Sequence, residues 1–193
     1  IVTSNIFRNN LYSAVNFNGR CAYSIVSNNA CIGSSGTANS AAIQSDGPAV
    51  LANNTIYGDV TNYALSGGIM WGEGNWTGSG VITGHLIKHC QFGIKAIYHG
   101  PVNITGNTII NCLSAGGITL VGGTVTGFTV PSSDNLVANN LLINNYPDQI
   151  TCNADGTQIT GNRCLYIASP VNPGAATDHD AVTVNQPQYG ISV

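Results

Sequence analysis

At 193 residues the chain is long enough for one domain with a sizeable core, yet only 7% of its residues are charged, against about 25% in ordinary globular proteins. An apolar content of 43% argues against disorder, and three Arg, two Lys and a net charge of −3 leave no basic footprint for nucleic acid or an anionic membrane. No run of about 18 apolar residues is present, so no membrane span is expected, and Ile1 opens directly into patterned sequence, so no signal peptide is expected in this stretch.

In chain order, seven rows of ten residues align without gaps: IVTSNIFRNN from Ile1, IVSNNACIGS from Ile25, VLANNTIYGD from Val50 and VITGHLIKHC from Val81. NITGNTIINC from Asn103, LVANNLLINN from Leu136 and QITGNRCLYI from Gln158 complete the set, with starts 24, 25, 31, 22, 33 and 22 residues apart. Position two reads Val2, Val26, Leu51, Ile82, Ile104, Val137 and Ile159, and position seven reads Phe7, Cys31, Ile56, Ile87, Ile109, Leu142 and Cys164. Both are apolar throughout and should face inward. Position five reads Asn5, Asn29, Asn54, His85, Asn107, Asn140 and Asn162. This column is expected at a bend, where Asn tolerates left-handed backbone, and stacked Asn side chains can form an amide ladder.

A second strand follows each row, with inward pairs Val15 and Phe17, Ile69 and Trp71, Ile94 and Ala96, Ile118 and Leu120, and Ile150 and Cys152. In the second row the pattern is blurred and Ile43 is the best candidate. Short strands, Gly-rich bends and a minimum repeat near 22 residues predict one turn of a parallel solenoid per row, seven coils spanning roughly 34 Å. Rows such as NITGNTIINC resemble the repeats of the right-handed parallel β-helix superfamily, which includes pectate lyases, polygalacturonases and phage tailspikes. The resemblance implies an all-β, right-handed parallel β-helix over residues 1–168. Residues 169–193, with Pro170, Pro173 and Pro187, are expected to form a tail that caps the last coil or adds a strand to a neighbour. For activity the resemblance implies less, because the superfamily hosts lyases, hydrolases, adhesins and spikes.

Two long coils carry insertions. The third contains Trp71, Glu73, Asn75 and Trp76; two Trp beside one acid suit a stacking platform for sugar rings, or else Trp71 packs inward and Trp76 covers a loop. The fourth coil gathers His85, Lys88, His89, Lys95 and His99. A β-elimination on a uronic-acid polymer needs such a base beside cations, which makes Lys88, Lys95, His99 and Glu73 candidate catalytic residues. Against that, His85 and His89 fill structural columns. None of the eight acids forms the paired carboxylates of a glycoside hydrolase, and no cofactor or metal site is expected.

Six Cys are compatible with an oxidising compartment, and Cys90 with Cys112, both at position ten of adjacent coils, lie at a spacing suited to a disulfide or to stacked thiols. Asn53, Asn75 and Asn103 open N-glycosylation sequons. These features predict an extracellular, non-catalytic β-helix protein that self-associates head to tail or as a trimer, as a filament, spike or adhesin subunit, with a polysaccharide as a further partner. The alternative is a polysaccharide lyase or glycoside hydrolase.

Overall fold

The computed structural model describes residues 1–17, 23–33, 40–58, 67–72, 79–97, 100–125, 128–130, 134–167 and 181–184. Three parallel sheets of seven strands each wind around one core as a right-handed parallel β-helix of seven coils. Every coil contributes one strand to each sheet. Sheet A holds Val2–Thr3, Ser24–Ser27, Ala49–Ala52, Gly80–Thr83, Val102–Thr105, Leu136–Ala138 and Gln158–Thr160. Sheet B holds Ile6–Arg8, Ala30–Ile32, Thr55–Tyr57, Leu86–Lys88, Thr108–Ile110, Leu141–Ile143 and Arg163–Leu165. Sheet C holds Val15–Phe17, Ala41–Ser45, Gly67–Gly72, Ile94–Ile97, Ile118–Val121, Ile150–Asn153 and Val182–Val184.

The repeat fixes the register. Position two stacks Val26 on Leu51, Leu51 on Ile82, and Ile82 on Ile104 in sheet A. Position seven stacks Cys31 on Ile56, Ile56 on Ile87, and Ile87 on Ile109 in sheet B. In sheet C a third inward column runs from Val15 through Ile43, Ile69, Ile94 and Ile118 to Ile150. Because a one-residue slip would turn each of these columns outward, the buried face of every sheet specifies the pairing. Val182, in the segment expected as a tail, continues the third column by pairing with Ile150, so Val182–Val184 supplies the sheet C strand of the seventh coil. The fifth coil is long because it carries an antiparallel hairpin, Gly123–Val125 with Phe128–Val130.

The bend between sheets A and B differs in one respect from the expected one. The left-handed residue is position four, one place before the Asn column: Ser4, Asn28, Asn53, Gly84, Gly106, Asn139 and Gly161 all have φ between 52° and 68°. Ser, Asn and Gly are residue types that accept this conformation at low cost. The sharp turn at position four then leaves position five free to aim its side chain along the stack. From Asn5 to Asn140 each ladder residue's backbone N–H donates to the side chain of the next coil, as from Asn29 to Asn54 Oδ1 at 2.9 Å, Asn107 to Asn140 Oδ1 at 2.9 Å and Asn140 to Asn162 Oδ1 at 3.0 Å. The amide Nδ2 also reaches back to an inward carbonyl of the preceding coil, as from Asn107 to Ile82 O and from Asn140 to Ile104 O, both at 3.0 Å. These bonds satisfy backbone groups that the corner would otherwise leave buried and unpaired.

Candidate functional site

The described residues of the fourth-coil cluster, His85, Lys88 and Lys95, are separated by the fold. His85 lies inside the ladder, 1% exposed, where Nδ1 accepts the Asn54 backbone N–H at 3.0 Å and its own N–H donates to Asn107 Oδ1 at 3.0 Å. Burial lowers its pKa to about 4, so the imidazole is neutral over the physiological range. Lys88 points outward from sheet B, its Nζ 5.8 Å from the centre of the Tyr57 ring on the preceding coil. Lys95 points outward from sheet C, with Nζ 5.8 Å from the centre of the Phe92 ring. The two ammonium groups thus belong to different faces. His89 occupies a left-handed position at φ 56°, and burial, with help from the Lys88 charge, lowers its pKa. Glu73, Asn75, Trp76 and His99 lie outside the described residues.

Trp71 does not form a surface platform. It is only 2% exposed and packs in the main core, its strand partners being Ser45 and Ala96. Room for the indole comes from the next coil: a Cβ on Gly80 would stand 2.3 Å from the ring. A second, small apolar cluster of Ala41, Met70 and Phe92, flanked by Ile97 and Ala115, lies apart from that core, with Met70 on the opposite face of sheet C from Ile69 and Trp71.

Of the two arrangements open to Cys90 and Cys112, disulfide or stacked thiols, the structure has the thiols. Cys90 and Cys112 are free thiols, as are Cys31, Cys152 and Cys164 among the described residues. Cys90 and Cys112 are 1% and 0% exposed, and their thiols donate to the backbone, Cys90 to Lys88 O at 3.4 Å and Cys112 to Ile110 O at 4.0 Å. At these positions sulfur serves as a small apolar filler of the core. Of the sequon residues, Asn53 and Asn103 are exposed. Among the described residues no group of three or more His, Cys, Asp or Glu could hold a metal ion, and no helix is long and apolar enough to cross a membrane.

The repeat itself builds a concave surface. Position one of the rows faces outward at the start of each sheet A strand, and Ile25, Val50, Val81 and Asn103 stack there in register. Together with the residues just before them, notably Tyr23, Pro48, Ser79 and Pro101, they line an open groove of about 440 Å³ over coils two to five. Tyr23 is 88% exposed and sits at φ 60°, a conformation uncommon for an aromatic residue. Polar groups enter from Ser24, Ser79 and Asn103, and among the described residues no charged or titratable side chain other than the Tyr23 phenol lines the groove. Sequence reasoning passed over this surface because position one reads as ordinary outward alternation; the signal was that its outward residues are Ile and Val rather than Ser or Thr.

The fold and its surface define a parallel β-helix with a lateral groove whose described lining residues carry no charge. No protein-family model, curated protein or solved structure matches the chain.

Proposed function

We propose that this is a non-catalytic, extracellular β-helix protein that acts as a structural or assembly subunit and binds glycans on its lateral surface. The observation that carries the reading is the fate of the fourth-coil cluster: His85 is committed to the ladder while Lys88 and Lys95 leave from different sheets under aromatic rings. A base and the cations that would neutralise a uronate carboxylate need to converge on one substrate, and these residues diverge. Assembly is supported by the low charge, since a net charge of −3 over 193 residues opposes association only weakly. The extracellular setting is supported by the exposure of the sequon residue Asn53.

The test joins two measurements on the purified protein. Incubation with acidic and neutral polysaccharides should produce neither unsaturated uronate absorbance nor new reducing ends. Turnover that disappears in Lys95→Ala would sink the non-catalytic reading. Electron microscopy and sedimentation at rising concentration should show fibres or closed oligomers, and a monodisperse monomer throughout would remove the assembly role.

A further inference from the structure

We infer that the groove on sheet A binds an extended chain of neutral pyranose sugars lying along the solenoid axis, about one sugar per coil. The inference rests on the glycan-binding part of the function proposed above and gives it a place, a ligand class and a register.

The groove repeats as the strands do. Its floor is one residue per coil, Ile25, Val50, Val81 and Asn103, joined by strand pairing, so successive floor positions are about 4.8 Å apart and the four span roughly 14 Å. That rise is close to the length of one pyranose in an extended unbranched chain. A ligand with the same repeat meets an equivalent branched aliphatic surface at Ile25, Val50 and Val81 and an amide at Asn103. Pyranose rings present apolar C–H faces and hydroxyl edges. The floor offers surface for the faces, and Ser24, Ser79 and Asn103 offer donors and acceptors for the edges.

Tyr23 defines one end. Its ring is nearly free of protein contact at 88% exposure, and its backbone is held at φ 60° beside Ser24, whose N–H is tied to Pro48 O at 3.1 Å. An amphipathic ring held out from a rigid strand is suited to stacking on a sugar face while its phenol bonds a hydroxyl.

Charge selects between ligand classes. The basic residues of the described structure lie elsewhere: Arg8, Lys88 and Arg163 on sheet B and Lys95 on sheet C. A polyuronate in the groove would bring one carboxylate per sugar to a surface whose described lining residues offer no cation, and each would lose hydration without compensation there. A neutral glycan carries no such penalty.

The experiment is calorimetric titration of the full chain, produced in a host without N-glycosylation because Asn103 is itself a sequon residue on the groove floor. The probes are unbranched neutral β-linked glucose and mannose oligomers of two to six sugars, and oligogalacturonides of the same lengths. Affinity for a neutral series should rise up to about four sugars and then level off. Tyr23→Asn keeps a residue that tolerates the left-handed backbone and removes the ring. Val50→Asp puts a charge on the floor. Each should weaken binding about tenfold or more, with the thermal unfolding midpoint unchanged. Neutral binding that is indifferent to both variants, or tighter binding of oligogalacturonides, overturns the groove assignment while leaving glycan binding standing. Absence of binding by every oligomer overturns both.

Discussion

The backbone N–H of Asn54 donates to Nδ1 of His85 at 3.0 Å, in a ladder whose other rungs all present an amide oxygen to that donor. The substitution keeps the backbone rung but breaks the side-chain chain. Asn5 to Asn29, Asn29 to Asn54, Asn107 to Asn140 and Asn140 to Asn162 are linked through Nδ2 and Oδ1 at 2.8 to 3.1 Å, and the imidazole makes no such link. Because Nδ1 accepts, the proton sits on Nε2.

This arrangement predicts acid sensitivity at the junction of coils three and four. The folded pKa of His85 is about 4, below the ordinary value of 6.5, so from about 6.5 down to 4 the unfolded chain takes up a proton that the folded chain refuses. The contribution is intact above pH 6.5, falls as the pH drops, and loses nothing further below 4. The full loss is about 3 kcal/mol. Thermal unfolding from pH 7 to pH 3 should therefore show a steeper fall for the native chain than for His85→Asn, which leaves His89 in place as an internal control. Parallel curves would refute the role of His85.

The ladder also predicts where Asn matters. Asn107→Ala removes the acceptor of the buried His85 N–H and the donor to Ile82 O, so it should cost on the order of 2–4 kcal/mol. Asn103→Ala, on the exposed face of sheet A, should stay within about 0.5 kcal/mol. Denaturant unfolding of the two variants checks the contrast, and equal losses would mean that the stacked amides contribute nothing beyond filling space.

A third prediction separates backbone strain from steric conflict in the left-handed column. A Cβ on Gly84 would stand 2.2 Å from Asn53 Oδ1, whereas a Cβ on Gly106 meets only Thr83 Oγ1 at 4.0 Å, although both glycines have nearly the same φ. Gly106→Ala should cost about 1–2 kcal/mol from conformation alone. Gly84→Ala should cost more, and Asn53→Ala in the same chain should recover the excess. A double-mutant cycle that proved additive would show that the Asn53 side chain moves aside freely.

What could be read from the sequence, and what could not, follows from how each feature is encoded. The three inward columns were legible because one strand residue decides each site, and burial of one face leaves no other register. Row two was blurred at Ser45, which stands inward at the place filled by Phe17 and Trp71 in its neighbours and bonds Gly47 O at 3.3 Å to make that burial tolerable. Trp71 was ambiguous because its inward position depends on the missing Cβ of Gly80, a residue of the following coil. The groove was hidden for a similar reason: Tyr23, Pro48 and Pro101 are neighbours only after coiling brings equivalent positions together.

The thiols make the last prediction, on a pair whose spacing also suits a disulfide. The neighbouring Cys112 thiol and burial both push the Cys90 thiol well above its usual range, and burial raises Cys31 to about 11. Alkylation proceeds through the thiolate, so neither should react in the native protein near neutral pH, and Cys112 and Cys152, with no exposed surface, should be shielded by access alone. Cys164 is only partly covered and should be labelled before the other four. In guanidinium these five and Cys21, the sixth cysteine of the chain, should react at similar rates. Peptide mapping after iodoacetamide treatment, without prior reduction, reads this directly. A Cys90–Cys112 peptide pair lighter by two hydrogens and resistant to alkylation even when unfolded would show that the adjacent coils are cross-linked, and would replace the packed-thiol account of this part of the core.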